Sequence, residues 1–384
     1  MARSIPRASA LRHRRREYNF AVAPSLLRRL GPLGAILLVP VLLASSAAAA
    51  DSLQWNGFAL LRPQTQSTGV PLDEDAISAQ VQLGVDWRPA PAIGAHVHLL
   101  ARNDADGSRR GRVGVVEAFV EANANFGSDR LRVLGGAFFI PTSRENIDAL
   151  WESPYTITPS ALNSWLGEEF RPVGFDVSWR HRLKRLGALT GGATVYRGND
   201  TFGALPIDRG WALTDRWALL GEHVRVNDRL FTSVSAETDG RLGWSTRAKW
   251  NNDRGAFQIT RIDNRSDARQ YGDLLNWATR YNIVGADYSF GPWTMVGEAA
   301  WGTTAVERRS GRRSSPIRSS YLLLSRRFSK MRASVRFDEF RGRSYSEALT
   351  AAFFWEPHAR LRAGIEGITA EGEERLALEL RYRF

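Results

Sequence analysis

Few residue types in this chain could do covalent chemistry. Its 384 residues include six histidines and no cysteine, so thiol nucleophiles, thiolate metal sites and disulfides are excluded. His96 and His98, in "GAHVHLL", would share one strand face about 6.5–7 Å apart. A metal needs further ligands. Spacing places no third histidine or carboxylate beside them, so polar lining is the simpler reading, and neither metal nor cofactor is expected. No G-x-S-x-G nucleophile elbow occurs. His181 and His358 fall beside tight turns, which leaves His223, with Asp228 nearby, as the one histidine that hydrolytic chemistry could use. The glycine-rich "GGATVYRGND" and "GPWTMVGEAAWG" precede no helix and so do not cradle phosphate.

What recurs instead is charge at alternate positions. Arg102, Arg132, Arg180, Arg247, Arg280, Arg332 and Arg336 stand in mid-segment, accompanied by Glu117 and Glu121; Lys249, Arg318, Arg362, Arg381, Asp86 and Glu366 follow the same rule. Such rows line a watery passage, where rings of arginine favour anions. The stretch 141–169 has the opposite sign. It carries Glu145, Asp148, Glu152, Glu168 and Glu169 against Arg144 alone. Folded inward as a constriction loop, with Arg144, Glu145, Asp148 and Glu152 at its tip, it would face the arginines across a strong transverse field.

The elements that position these residues follow from period-two alternation. "AISAQVQLGVDWRP", "RLGWSTRAKW" and "KMRASVRFDEF" each set apolar residues against polar ones, the pattern of a strand with one apolar face. Sixteen such segments are expected, near 52–62, 76–88, 94–103, 113–124, 130–140, 170–182, 187–197, 241–251, 255–263, 275–289, 292–304, 316–327, 330–340, 347–356, 359–369 and 375–384. Pairing of "LFTSVSAE" (230–237) with a partner in 205–228 would make eighteen. Short turns such as "NFGSD" and "GPW" alternate with longer stretches at 63–75, 104–112, 141–169, 198–240, 264–274, 305–315, 341–346 and 370–374. Tryptophan and tyrosine sit near segment ends, including Trp87, Trp250, Trp277, Tyr281 and Tyr382. Alternation, aromatic girdles and unequal rims together predict an all-β fold, a transmembrane antiparallel up-and-down β-barrel of about 16 strands. If the last strand, "LALELRYRF", pairs with the first, the barrel has no open edge.

The first fifty residues read as a cleaved signal peptide: an arginine-rich start, the apolar "LGPLGAILLVPVLL", and a small-residue site before Asp51,. Its removal lowers the net charge from +12 to +5, with 44 basic and 39 acidic residues remaining. No nucleic-acid partner is expected, since helix-turn-helix and zinc-finger patterns are also lacking. Residues 51–384 form one domain, with the inward loop at 141–169 and a second long loop at 198–240.

The signal, the aromatic last strand and the alternating connections resemble Gram-negative outer-membrane porins. The block "LRVLGGAFFIPTSREN" with "SPYTITPSALNSWLGEEFRPVGFDVSWR" is similar to phosphate-selective porin O/P-like and uncharacterised porin families. The resemblance implies a non-enzymatic channel in the outer membrane, passing small hydrophilic solutes passively, with anion preference as the finer expectation. It implies lipid and lipopolysaccharide surroundings and a homotrimer, and it makes Tyr382 and Phe384 the signal read by the barrel-assembly machinery. The lysine cluster of a phosphate porin is absent: only Lys184, Lys249 and Lys330 occur. The alternatives from other classes are a barrel enzyme centred on His223 and a surface adhesin that binds through its long loops.

Overall fold

The computed structural model describes residues 52–66, 77–103, 111–198, 200–208, 210–225, 231–272, 274–308, 311–342, 345–371 and 373–384. The proposed signal peptide and Asp228 lie outside them. The strands, in chain order, are β1 (Leu53–Gln66), β2 (Ile77–Ala90), β3 (Ile93–Arg102), β4 (Val113–Phe126), β5 (Asp129–Ala137), β6 (Val173–Arg182), β7 (Ala188–Arg197), β8 (His223–Arg225), β9 (Phe231–Ser233) and β10 (Gly243–Asn251). There follow β11 (Gly255–Asp263), β12 (Gln270–Tyr271), β13 (Leu274–Leu275), β14 (Ala278–Phe290), β15 (Trp293–Arg308), β16 (Gly311–Phe328), β17 (Met331–Arg341), β18 (Tyr345–His358), β19 (Leu361–Ala370) and β20 (Glu373–Arg383). Sixteen of them close into one antiparallel barrel, and β12, β13, β9 and β8 form a separate small sheet. The eighteen-strand alternative therefore fails. Phe231–Ser233 does pair with His223–Arg225, but at three residues each these strands are too short to cross a bilayer and belong to a loop.

Alternation dictates the two faces. On β17, Met331, Val335 and Phe337 point out and are exposed, while Ser334, Arg336 and Asp338 point in and are buried. Leu322 and Leu324 on β16, Leu349 and Phe353 on β18 and Leu376, Leu378 and Leu380 on β20 continue the outward band. A continuous apolar belt of this extent is a lipid-facing surface, because water would not tolerate it. Strands do the crossing. No helix among the described residues is long and apolar enough to span.

The seam closes as expected. Phe58 pairs with Arg383 and Leu61 with Leu380, and Gly57 and Phe384 exchange both backbone hydrogen bonds, at 3.2 and 3.0 Å. Gly57 needs its missing side chain: a Cβ there would lie 2.6 Å from the Phe384 ring and 2.5 Å from the Gln82 carbonyl oxygen. One expectation about the rims is corrected. The connections expected at 305–315, 341–346 and 370–374 shrink to 309–310, 342–344 and 371–372. Polar residues such as Arg312, Arg313 and Ser314 lie in strand; above the lipid belt a strand can be polar on both faces, so alternation no longer marks it.

Candidate functional site

Two loops turn inward from the long-connection rim. Loop 3 (138–172) is punctuated by Pro141, Pro154, Pro159 and Pro172, which confine regular structure to a 3-10 turn at Ala149–Trp151 and one α-helix, α1 (Ala161–Glu169). Ser160 caps it by accepting the Asn163 N–H at 3.3 Å, a standard N-cap. The loop crosses the lumen. Gln258 on β11 donates to the Pro141 carbonyl at 2.7 Å. Arg144 reaches Asp287 on β14 at 3.4 Å, and Asn163 donates to Glu298 on β15 at 3.0 Å. Glu366 on β19 accepts the Ile157 and Thr158 N–H groups at 2.7 and 3.1 Å. At its tip, Leu150 and Trp151 both take φ +59°, which costs roughly 1–2 kcal/mol each. Packing offsets the strain: Leu150 is buried with Phe58 and Leu60, and Trp151 stacks on Phe139 at 4.1 Å with its edge to Trp217 at 5.0 Å.

Along β17 to β20 and β1 the loop is held by ions. Arg336 bridges Glu145 at 2.7 Å and Asp338 at 2.6 Å, and it also donates to the Thr158 carbonyl at 2.6 Å. Glu379 accepts from three arginines, Arg62 at 2.8 Å, Arg362 at 2.7 Å and Arg381 at 3.0 Å. Arg381 continues to Glu152 of loop 3 at 2.7 Å, and Arg62 to Asp215 of loop 4 at 2.8 Å. None of these side chains is more than 7% exposed. Here the acidic loop and the arginines are in direct contact, and the charges neutralise one another. No open gap separates them, so they set no transverse field across water.

Loop 4 (198–242) lies against loop 3 on the side of the long-connection rim. Its Leu213 carbonyl accepts from Arg375 at 3.1 Å and its Trp217 carbonyl from Arg102 at 3.1 Å; both arginines stand near the long-connection ends of their strands. Glu169, at the end of α1, joins the loops by accepting the Ala204 and Leu205 N–H groups at 2.8 and 3.0 Å. Burial pushes this carboxyl up to about 8 in spite of those donors. Burial acts the same way on Asp215, but Arg62 and its neighbours outweigh it and hold that carboxyl below the ordinary 3.8. Facing β11 to β16, the two loops pack as an apolar core. Trp165 stacks on Phe202 at 4.7 Å and meets Tyr281 edge-on at 4.9 Å, with Leu162, Ile283 and Ile317 buried around them.

Two polar vestibules open beneath the loops, at the short-turn rim. One, of about 660 Å³, is lined by Arg144, Arg180, Lys249 and Arg254 with Glu117, Asp148, Asp253 and Asp287. The other, of about 630 Å³, is lined by Arg327, Lys330, Arg332 and Arg383 with Asp148 and Glu356. Arg180, Lys249 and Arg332 form no ion pair among the described residues.

The expected site residues therefore separate by surroundings. Arg180 and Arg332 face the vestibules. Arg132 holds Glu121 at 2.6 Å and Arg247 holds Asp176 at 2.6 Å on the inner wall, while Glu117 accepts the Phe139 N–H at 2.6 Å. Arg102 is bound to Glu222 at 2.7 Å under loop 4, and Arg336 is sealed in the dry network. Of the constriction residues, Glu145 and Glu152 are buried in ion pairs and Asp148 is exposed to both vestibules. Arg280 corrects the expectation: it is on the outward register, 67% exposed beside Asp263 at 3.3 Å. Arg318 also faces outward. Tyr281, expected in a girdle, is fully buried inside. His96 and His98 do point inward, but to separate partners, Asp86 at 2.9 Å and Gln82 at 2.8 Å. Tyr382 and Phe384 sit exposed at the seam. Among the residues missed are Arg62 and Asp215; Arg62 shares the inward face of β1 with Phe58 and Leu60, whose apolar pair masks the polar Asn56 and Gln64 on the same register.

No family model matches the chain, and no curated protein matches it. Solved structures do match. OmpF of Salmonella typhi, solved with daunomycin, has a TM-score of 0.56 at 11% identity over 86% of this chain and 97% of that one. OmpT, an outer membrane protein of Vibrio cholerae, gives 0.56 at 8% identity over 89% and 99%. The anion-selective porin from Comamonas acidovorans gives 0.52 at 11% identity over 87% and 99%. At such identities the likeness is one of fold: this chain has the 16-stranded porin barrel.

Proposed function

We propose that the protein is a porin of the Gram-negative outer membrane, a passive, non-catalytic channel for small hydrophilic solutes with a preference for anions. The observation that carries the reading is a closed 16-stranded barrel with a lipid-compatible exterior and a charged interior narrowed by its own third loop. Unpaired Arg180, Lys249 and Arg332 in the vestibules supply the anion preference, since cationic linings raise the local concentration of anions; the similar barrel from Comamonas acidovorans is itself described as anion-selective. An empty 16-stranded barrel holds a wide channel. Here loops 3 and 4 occupy much of the lumen, so conductance is expected to be well below that of an open barrel. Assembly as a homotrimer, and recognition of Tyr382 and Phe384 by the assembly machinery, belong to the same reading.

Single-channel recording on refolded protein in planar bilayers tests it. Discrete conductance steps are expected, with a reversal potential on the anion side under a salt gradient. A protein that inserts yet passes no ions would end the porin reading; a cation-side potential would end the anion preference alone.

A further inference from the structure

Four outward-facing residues line up across β15 to β18. Trp301 pairs with Arg318, Arg318 with Arg341, and Arg341 with Tyr345. Two guanidinium groups thus stand directly opposite each other between two aromatic rings. Like charges directly opposed on a sheet are destabilising, yet neither arginine has a carboxylate partner among the described residues. One row nearer the bilayer centre come Ser320, Glu339 and Glu347, and below them Leu322, Phe337 and Leu349 of the lipid belt. Trp301, Arg318, Ser320, Glu339, Arg341 and Tyr345 border a shallow cleft of about 310 Å³ on the outer wall, and Glu347, Leu322, Phe337 and Leu349 continue the surface below it.

The cleft lies toward the long-connection ends of its strands, which in such barrels face the cell exterior. It is therefore level with the outer-leaflet headgroups, where tryptophan and tyrosine rings also settle. We propose that this cleft binds a phosphate of the outer-leaflet glycolipid. Arg318 and Arg341 grip the phosphate oxygens, a task that the planar guanidinium performs bidentately. Trp301 and Tyr345 flank the sugar. The carboxylates of Glu339 and Glu347 accept its hydroxyl and amide hydrogens, while the acyl chains run down over Leu322, Phe337 and Leu349. The anion relieves the repulsion that the empty pair of arginines carries. This assignment rests on the outer-membrane reading for its choice of leaflet.

Native mass spectrometry of the full-length barrel in detergent, titrated with diphosphorylated outer-leaflet glycolipid, tests the cleft. Saturable one-site binding is expected, weakened at least tenfold in R318Q/R341Q and unchanged in R326Q, an outward arginine at the opposite rim. The dephosphorylated glycolipid should bind wild type no better than the intact lipid binds the double variant. Equal binding by wild type and R318Q/R341Q, or by phosphorylated and dephosphorylated lipid, overturns the proposal. Inorganic phosphate displacing the lipid at equimolar concentration would reassign the cleft to free phosphate and overturn the lipid assignment. Conductance recorded on the same preparations separates the two readings. A channel that conducts but binds no glycolipid loses only this site, whereas one that does not conduct has lost the porin reading itself.

Discussion

On the side of β17 to β20 and β1, the two inner loops are gripped by arginines and carboxylates from which water is excluded; on the side of β11 to β16, the same loops are packed by tryptophan, phenylalanine and isoleucine. Both sides are buried, but they tolerate change differently. An ion network needs every member, because removing one partner leaves the other charged and dry. An apolar cluster can relax around a vacancy, and its loss scales with the volume that fails to refill.

Arg336→Ala should therefore have the largest effect. It strands Glu145 and Asp338, and a loss of about 3–5 kcal/mol in loop docking is expected. It should be read as faster proteolysis within 141–169 and a several-fold rise in conductance. Unchanged cleavage and conductance would mean the network does not hold the loop. Trp165→Ala, on the apolar side, should cost about 3 kcal/mol and give a smaller rise in conductance; a rise larger than that of Arg336→Ala would invert the comparison. Charge reversal then sharpens it. Arg332→Glu, in the vestibule, should move the reversal potential toward cations while leaving proteolysis of loop 3 as it was. The same potential in Arg332→Glu and wild type would take Arg332 off the ion path.

The smallest effect is in pH. Glu169 has its carboxyl raised to about 8, so the docked loops hold a proton that the water-exposed carboxyl gives up near 4.5. The loop 3–loop 4 junction therefore weakens as pH rises through the range between about 4.5 and 8, and levels off above 8,. Asp215 has the opposite sign. Its carboxyl is lowered by Arg62, so its contribution is full above 3.8 and is lost as pH falls below that. Conductance should thus climb toward alkaline pH, and Glu169→Gln should remove the climb. A flat profile in wild type between pH 5 and 9 would reject this account of the junction.

Every barrel strand was legible from alternation, often to within a residue or two: 94–103 was expected where Ile93–Arg102 is found. What misled was the rule that apolar means outward. On β14 the inward face carries Tyr281 and Ile283 because loops 3 and 4 cover it, so the apolar register named the wrong side and put Arg280 in the lumen. On β1, Phe58 and Leu60 hid Arg62 in the same way. The rule holds only where the lumen is water, and this lumen is largely filled by the protein's own loops. Loop 3's acidic charge was readable from composition. Its direct pairing with Arg336 and Arg381 was not, because that depends on which wall the loop leans against.

The pair formed by Arg62 and Glu379 has a consequence for how the molecule is made and how long it lasts. These residues are 317 positions apart, and joining such distant points costs on the order of 5 kcal/mol of chain entropy. Contacts of this separation form late in folding. Since Arg62 also holds Asp215, one side chain serves both the closing seam and one of loop 4's anchors. The clasp of the cylinder and one latch of its stopper thus share a residue. Interactions that appear after the rate-limiting step act mainly on the rate of unfolding, so Arg62→Met should leave assembly nearly as fast and shorten the lifetime of the finished barrel in denaturant.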